Sequence, residues 1–233
     1  METVLIADAD SVLGRALCDE LAAGGFKVVA HVRTAQYRPF SGSVIVVTAN
    51  DFHEALAGWN ETVSPIDHIV FGQPPHDATP SSAETGFETL VSSLDAELTG
   101  FLADLQAAGK LLVRNGGGQI WVLTQEDSAS YYTGRPSLAI QMRARHAAVK
   151  SFAKEVFRFG VRVNCANIQL LAEQATREEW QAARNGLKAF AMKFKPSKAA
   201  DVAGTLRHFL QQADLPIAGM IVPIGVGFAE NNI

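Results

Sequence analysis

Residues 4–33 read VLIADADSVLGRALCDELAAGGFKVVAHVR. A short apolar run rich in β-formers comes first. Leu13, Leu17 and Leu21 follow at spacing four, a stripe on one helix face, and Gly24-Gly25 then stops the helix where a left-handed residue is wanted. A second apolar run, KVVAHV, completes a compact βαβ unit, which requires its two strands to lie parallel.

The same alternation runs to the end of the chain. Apolar β-rich segments recur at TVLIAD, KVVAHV, SVIVVT, DHIVFG, GQIWVL, VRVNCANI and GMIVPI, with helical spacing in most intervals. This pattern predicts an α/β fold: one doubly wound, Rossmann-type parallel sheet of about seven strands with helices on both faces. No internal repeat, low-complexity tract or linker interrupts it, so residues 1–233 are expected to form a single domain, long enough to bury a core without staples.

Composition narrows the function classes. Apolar residues make up 48% and charged residues 19% of the chain, ordinary values for a folded protein. Lys plus Arg number 20 against 24 for Asp plus Glu, so no basic surplus exists to neutralise nucleic-acid phosphates or an anionic membrane. No apolar run approaches a membrane span, and METVLIADAD lacks the basic start of an export signal. A cytoplasmic location is expected. Cys18 and Cys165 are the only cysteines, lie far apart, and are read as small core residues; no metal-ligand spacing is present.

Two helices stand out by length. Phe87, Leu90, Val91, Leu94, Leu98, Phe101, Leu102 and Leu105 form one broad stripe over residues 87–105. After Pro136, Leu138, Met142, Val149, Phe152 and Val156 mark a second helix over 138–156, with Arg143, Arg145, Lys150 and Lys154 on other faces. Residues 72–85 and 125–136, rich in Pro, Ser, Asp and Gly, follow strands and are expected to border a ligand crevice.

Residues 4–33 resemble the opening of a short-chain dehydrogenase/reductase. The likeness continues through IDHIVFGQP, the helix containing ELTG, GGGQIWVLT, RHAAVKSFAKEV, FGVRVNCANI and AGMIVPIGVGF, and so spans essentially the whole chain. The resemblance implies a dinucleotide crevice and a hydride-transfer site, and each working position departs from the pattern. The family's phosphate loop, TGxxxGxG, falls on Ala7, Asp8, Val12 and Gly14, with only the last glycine kept. Glycines there let backbone N–H groups approach the pyrophosphate at a helix N-terminus. Val12 would fill that space. An isolated Asp8 carboxylate at roughly 5 Å from a phosphate, with an effective dielectric near 20, would repel it by about 3 kcal/mol per unit charge. Alternatively, Asp8 satisfies backbone donors at the start of the helix. Arg33, at the end of the second strand, stands where NADP-preferring members of the family bind the 2′-phosphate, or is a solvated strand-end residue. Phe71, Gly72, Gln73 and Pro74 replace NNAG, with Phe71 expected to fill ribose and adenine space. No cofactor is expected from this reading; NAD(P) would need an unusual pose.

The family's YxxxK places Met142 at the tyrosine and His146 at the lysine. Methionine has no proton to donate, and a neutral imidazole supplies no permanent cation. Met142 also reads as packing and His146 as a partly buried helix residue. Gln125 falls on the catalytic serine, with Thr124 and Ser128 as neighbours, and Glu97 on the asparagine. Tyr131 and Arg135 spell YxxxR, similar to the halohydrin dehalogenase branch, but lie outside the helix. Ile168-Gln169 replaces the PG after the sixth strand.

The chain is similar to the inactive subunit found in hetero-oligomeric dehydrogenases of this family, such as hydroxybenzylsuccinyl-CoA dehydrogenase. The resemblance implies a non-catalytic subunit in a dimer or tetramer, pairing with an active homologue or with itself through helices 87–105 and 138–156. The alternatives are an enzyme doing non-redox chemistry with His146, Glu97 or Asp127, and a ligand sensor or reductase with an unusual cofactor pose.

Overall fold

A computed structural model of the chain describes residues 1–59, 65–72, 86–126, 136–169, 171–174, 176, 178, 196–212 and 215–225. Seven strands, β1 (Thr3–Ile6), β2 (Lys27–Val32), β3 (Val44–Thr48), β4 (His68–Phe71), β5 (Gly118–Gln125), β6 (Val161–Ile168) and β7 (Ile221–Ile224), form one sheet. Their order is β3-β2-β1-β4-β5-β6-β7, and every pairing is parallel. The helices are α1 (Val12–Ala23), α2 (Phe52–Gly58), α3 (Phe87–Arg114), α4 (Pro136–Val156) and α5 (Ala199–Leu210).

Alternation along the strands explains the layering. Val4 and Ile6 of β1 face one way and join Val28, Val70, Trp121, Leu123 and Ile168 in a core closed by α1 and α5. Leu5 faces the other way, with Val29, Ile69, Ile120, Val122 and Val163, and meets α3 and α4. Both faces are thus covered, as the sequence pattern predicts. Polar strand residues in these cores have assigned duties. The Gln119 amide donates to the Gln212 carbonyl at 3.1 Å, satisfying an acceptor beyond the last turn of α5, and its Oε1 accepts from the Trp121 ring N–H at 3.1 Å. Cys18 and Cys165 are both buried, and burial above all pushes the Cys18 thiol up to about 12, which leaves it an unreactive core residue.

Both long helices differ from their sequence bounds. α3 runs on to Arg114 because Ala108, Leu111 and Leu112 prolong its apolar face, and Gly109 admits the Phe152 ring of α4, where a Cβ would meet the ring at 2.5 Å. α4 starts at Pro136, a residue suited to a first turn that has no use for its N–H. Of its four basic residues, Arg143, Lys150 and Lys154 are exposed, whereas Arg145 is half-buried. Residues 73–85 and 127–135, expected to border the crevice, lie outside the described residues, and Gln73, Pro74, Asp127, Ser128, Tyr131 and Arg135 with them.

The approach of α1 to the turn that follows β1 depends on Gly14. A Cβ there would stand 2.8 Å from each of Ala9 Cα, the Asp8 carbonyl oxygen and Ser11 Oγ, and two of these three atoms are backbone. Gly14→Ala is expected to destabilise the fold by about 1–3 kcal/mol, since overpacking against backbone has little room to relax. Urea denaturation reads this as a lower midpoint at unchanged slope; an unchanged midpoint would contradict this packing.

Candidate functional site

The sheet changes winding direction between β1 and β4, and a crevice opens there beyond their carboxyl ends. It encloses about 320 Å³ and is bordered by Asp8, Arg33, Phe71, Gly72, Glu97 and Arg145, among others.

The turn from β1 into α1 builds one wall. Asp8 adopts φ 51, a left-handed conformation usually left to glycine and tolerated best by Asp and Asn among other residues. The backbone thus keeps a glycine-like path although the side chain is a carboxylate. Asp8 does not satisfy the backbone donors of α1. Ser11 does so, with extended backbone and its Oγ accepting from the Gly14 N–H at 3.0 Å. The Asp8 carboxylate turns to β2, where Arg33 Nε donates to Oδ1 at 2.7 Å and Nη2 approaches Oδ2 at 3.4 Å. Arg33 is therefore an ion-paired residue and not merely a solvated strand end. The Arg33 side chain is 54% exposed and that of Asp8 27%, so the pair contributes about 0–1 kcal/mol to stability. Its larger effect is to cancel the Asp8 charge. Val12, the first residue of α1, is 45% exposed, and Gly14 lets α1 pack closely on the turn.

Opposite this turn stand Asp51 and Asp104. Asp51 caps α2, its Oδ1 accepting from the Glu54 N–H at 2.8 Å. Burial first, and then the nearby Asp51 and Asp8 charges, push the Asp104 carboxyl up to about 6. Phe71 forms part of the wall, with ring centroids 4.8 Å from Phe52 and 6.0 Å from Phe101. The guanidinium carbon of Arg145 lies 4.5 Å from the Phe101 centroid, a cation–π distance. Its Nη1 reaches the Gly72 carbonyl oxygen at 3.5 Å. Burial pushes Arg145 down to about 10 against the opposing influence of Glu97, and the side chain remains charged at neutral pH.

The positions matched to the catalytic residues sit below and beside this crevice. Met142 is fully buried, and its sulfur accepts from the Gln125 N–H at 3.3 Å. His146 is buried outright, beyond the partial burial expected of it, and Nε2 lies 2.9 Å from Thr124 Oγ1. That hydroxyl also donates to Asn167 Oδ1 at 3.1 Å and lies 3.1 Å from Cys165 Sγ, forming a polar cluster inside the sheet–helix layer. Gln125, also buried, ends β5. Glu97 alone of the four borders the crevice.

Arg145 is the residue that the pattern of basic positions misassigned to the outer helix surface. A signal was present. Met142, Arg145 and Val149 are spaced i, i+3 and i+7, which puts the arginine on the edge of the buried stripe.

No family model and no curated relative matches the chain. Solved structures match over almost all of it. A short-chain type dehydrogenase/reductase from Mycobacterium ulcerans has a TM-score of 0.82 at 16% identity, covering 96% of this chain and 88% of the other. YwfH, an NADPH-dependent reductase involved in bacilysin biosynthesis, has 0.80 at 18% identity, covering 97% and 99%. A 3-oxoacyl-(acyl-carrier-protein) reductase from Agrobacterium tumefaciens C58, with NADP bound, has 0.77 at 15%, covering 97% and 94%. These structures correct the expectation of no cofactor, because the neighbours point to a nicotinamide dinucleotide. The physical weakness of that expectation is local: it treated Asp8 as an isolated charge, whereas Arg33 neutralises it and the turn keeps its left-handed path. The likeness establishes the architecture: the chain has the short-chain dehydrogenase/reductase fold.

Proposed function

We propose that the chain is a non-catalytic subunit of an NAD(P)-dependent oxidoreductase of the short-chain type, acting in the cytoplasm and paired with a homologous subunit that carries out hydride transfer. The observation that carries this reading is the packing of α4. Met142 is sealed against the end of β5, and His146 is turned into the Thr124 cluster, so neither residue presents a proton donor to the crevice. Reduction of a carbonyl needs an acid within hydrogen-bond reach of the reacting oxygen.

The ligand proposed for the crevice is a nicotinamide dinucleotide, held by the backbone of the Asp8 turn, the N-terminal end of α1 and the polar side chains at the strand ends. A nicotinamide, when bound, supplies hydride; this chain's residues would bind and orient it without completing the proton transfer. The fit rests on two local features: a turn whose carboxylate is already paired, and Gly72, where a Cβ would come within 2.8 Å of the Ala7 carbonyl oxygen and narrow the crevice floor.

The alternative of non-redox catalysis loses support at one of its three residues. His146 does not border the crevice, and Asp127 lies outside the described residues. Glu97 borders the crevice beside Arg145.

Helices α3 and α4 are the proposed pairing face. Phe87, Val91, Leu102 and Ile140 are all large apolar residues at least 45% exposed. Between the helices a groove of about 280 Å³ is lined by Val91, Leu94, Leu98, Ile140 and Ala144. Burying such side chains stabilises an association by about 1.5–3 kcal/mol each when fully enclosed.

Assayed alone, the chain is expected to bind NADH or NADPH without oxidising or reducing a carbonyl–alcohol pair; mixed with an active homologous subunit, turnover appears. Turnover by the chain alone would overturn the reading. Ile140→Asp is expected to weaken the mixed assembly at least tenfold with little change in melting temperature, read by light scattering on a sizing column; an assembly unchanged by this variant would remove α4 from the pairing face.

A further inference from the structure

Arg145 has a setting that neither hydride transfer nor subunit pairing requires. It projects from α4 between Met142 and Val149, at the edge of a buried stripe, and borders both the crevice and the groove between α3 and α4. A guanidinium carries five N–H donors in a fixed planar fork. Among the described residues that fork meets one acceptor, the Gly72 carbonyl oxygen, at 3.5 Å, the outer limit of a hydrogen bond. The face of the guanidinium is occupied by the Phe101 ring, which fixes its plane while leaving its N–H edge available.

The surrounding charges do not use the fork up. Asp8 is engaged by Arg33, Asp51 by the Glu54 N–H at the start of α2, and Glu97 acts on Arg145 electrostatically. Desolvating a permanent cation is costly unless hydrogen bonds compensate it. A surface helix position would have avoided that cost, as Arg143 two residues earlier does.

We infer that Arg145 is an anion-binding residue of the crevice, holding a pair of oxygens, phosphoryl or carboxylate, on the ligand by its N–H edge. The chemistry is that of an oxyanion recognised bidentately, a geometry that arginine provides and lysine does not. Two sources would present it: the pyrophosphate of a dinucleotide, in which case the inference rests on the nicotinamide reading given above, or a small organic acid bound beside it.

The test is calorimetry on the full chain with three probes, NADH, inorganic pyrophosphate and butanoate, for the unaltered protein and for Arg145→Gln, Arg145→Lys and Arg143→Gln. Loss of one charge-assisted pair is expected to weaken the probe that uses it by about 10- to 100-fold in Arg145→Gln. Arg145→Lys should recover only part of this, and Arg143→Gln should bind as the unaltered chain does. Circular dichroism and melting temperature establish that each variant is folded; should Arg145→Gln fail to fold, the lysine variant carries the comparison. Weakening of NADH and pyrophosphate together assigns the oxyanion to the dinucleotide, and weakening of butanoate alone assigns it to an organic acid. If NADH does not bind while pyrophosphate or butanoate binds and depends on Arg145, the nicotinamide reading fails and this inference stands. Binding of every probe unchanged by Arg145→Gln, or no probe binding at all, would overturn it.

Discussion

A parallel sheet covered on both faces presents the carboxyl ends of its strands to a ligand, and the place of the candidate site follows from that constraint. Val4 and Ile6 are committed to the α1–α5 side and Leu5 to the α3–α4 side, so neither face of the central strand β1 is free for chemistry. What remains is the crevice where β1 and β4 part. Its walls are fixed by how closely α1 approaches the turn after β1, which Gly14 permits, and by the aromatic contacts of Phe71 with Phe52 and Phe101. The few side chains that reach this opening decide what ligand it can hold.

Two of those side chains reverse the first impression the sequence gives. Asp8 looks like a charge planted against an anion, yet it is tied to Arg33 across the strand ends. A charge pair of this kind adds little to stability, but it changes what an approaching phosphate meets. Arg145, conversely, looks like one of several solvated basic residues and instead lies against Phe101 at the floor of the crevice. The family pattern at Met142 and His146 is broken in the opposite sense: both side chains are turned into the core, where methionine sulfur and imidazole find partners in the end of β5. The crevice thus carries charged groups suited to holding a ligand, while Met142 and His146 of α4 are packed into the core beside it.

Most of the fold was legible because it rests on local periodicity. The seven apolar runs correspond to the seven strands, and the stripes at Leu13–Leu17–Leu21 and along residues 87–105 mark helices that form. Bounds were less legible. α3 continues past residue 105 because Ala108, Leu111 and Leu112 prolong its apolar face, and the seat that Gly109 gives to Phe152 is a tertiary contact that no helix periodicity reports. The candidate site was legible by position and not by partner. The family resemblance located Asp8, Arg33, Glu97, Met142 and His146, but which group each side chain meets depends on strand order, and β1 is flanked by β2 and β4 only once the sheet is assembled. Ser11 as the helix cap, in place of Asp8, is a case in point: either residue type serves, and only the backbone conformation of the turn decides.

The claim that the chain binds but does not catalyse is tested most directly in a mixed complex whose homologous subunit has had its own proton-donating tyrosine replaced by phenylalanine. Turnover is followed by the absorbance change of the nicotinamide, with this chain left unaltered. The account predicts that turnover falls to background, because Met142 and His146 leave no second proton donor in the assembly. Turnover retained at a substantial fraction of the unaltered complex would contradict it and make this chain an enzyme in its own right.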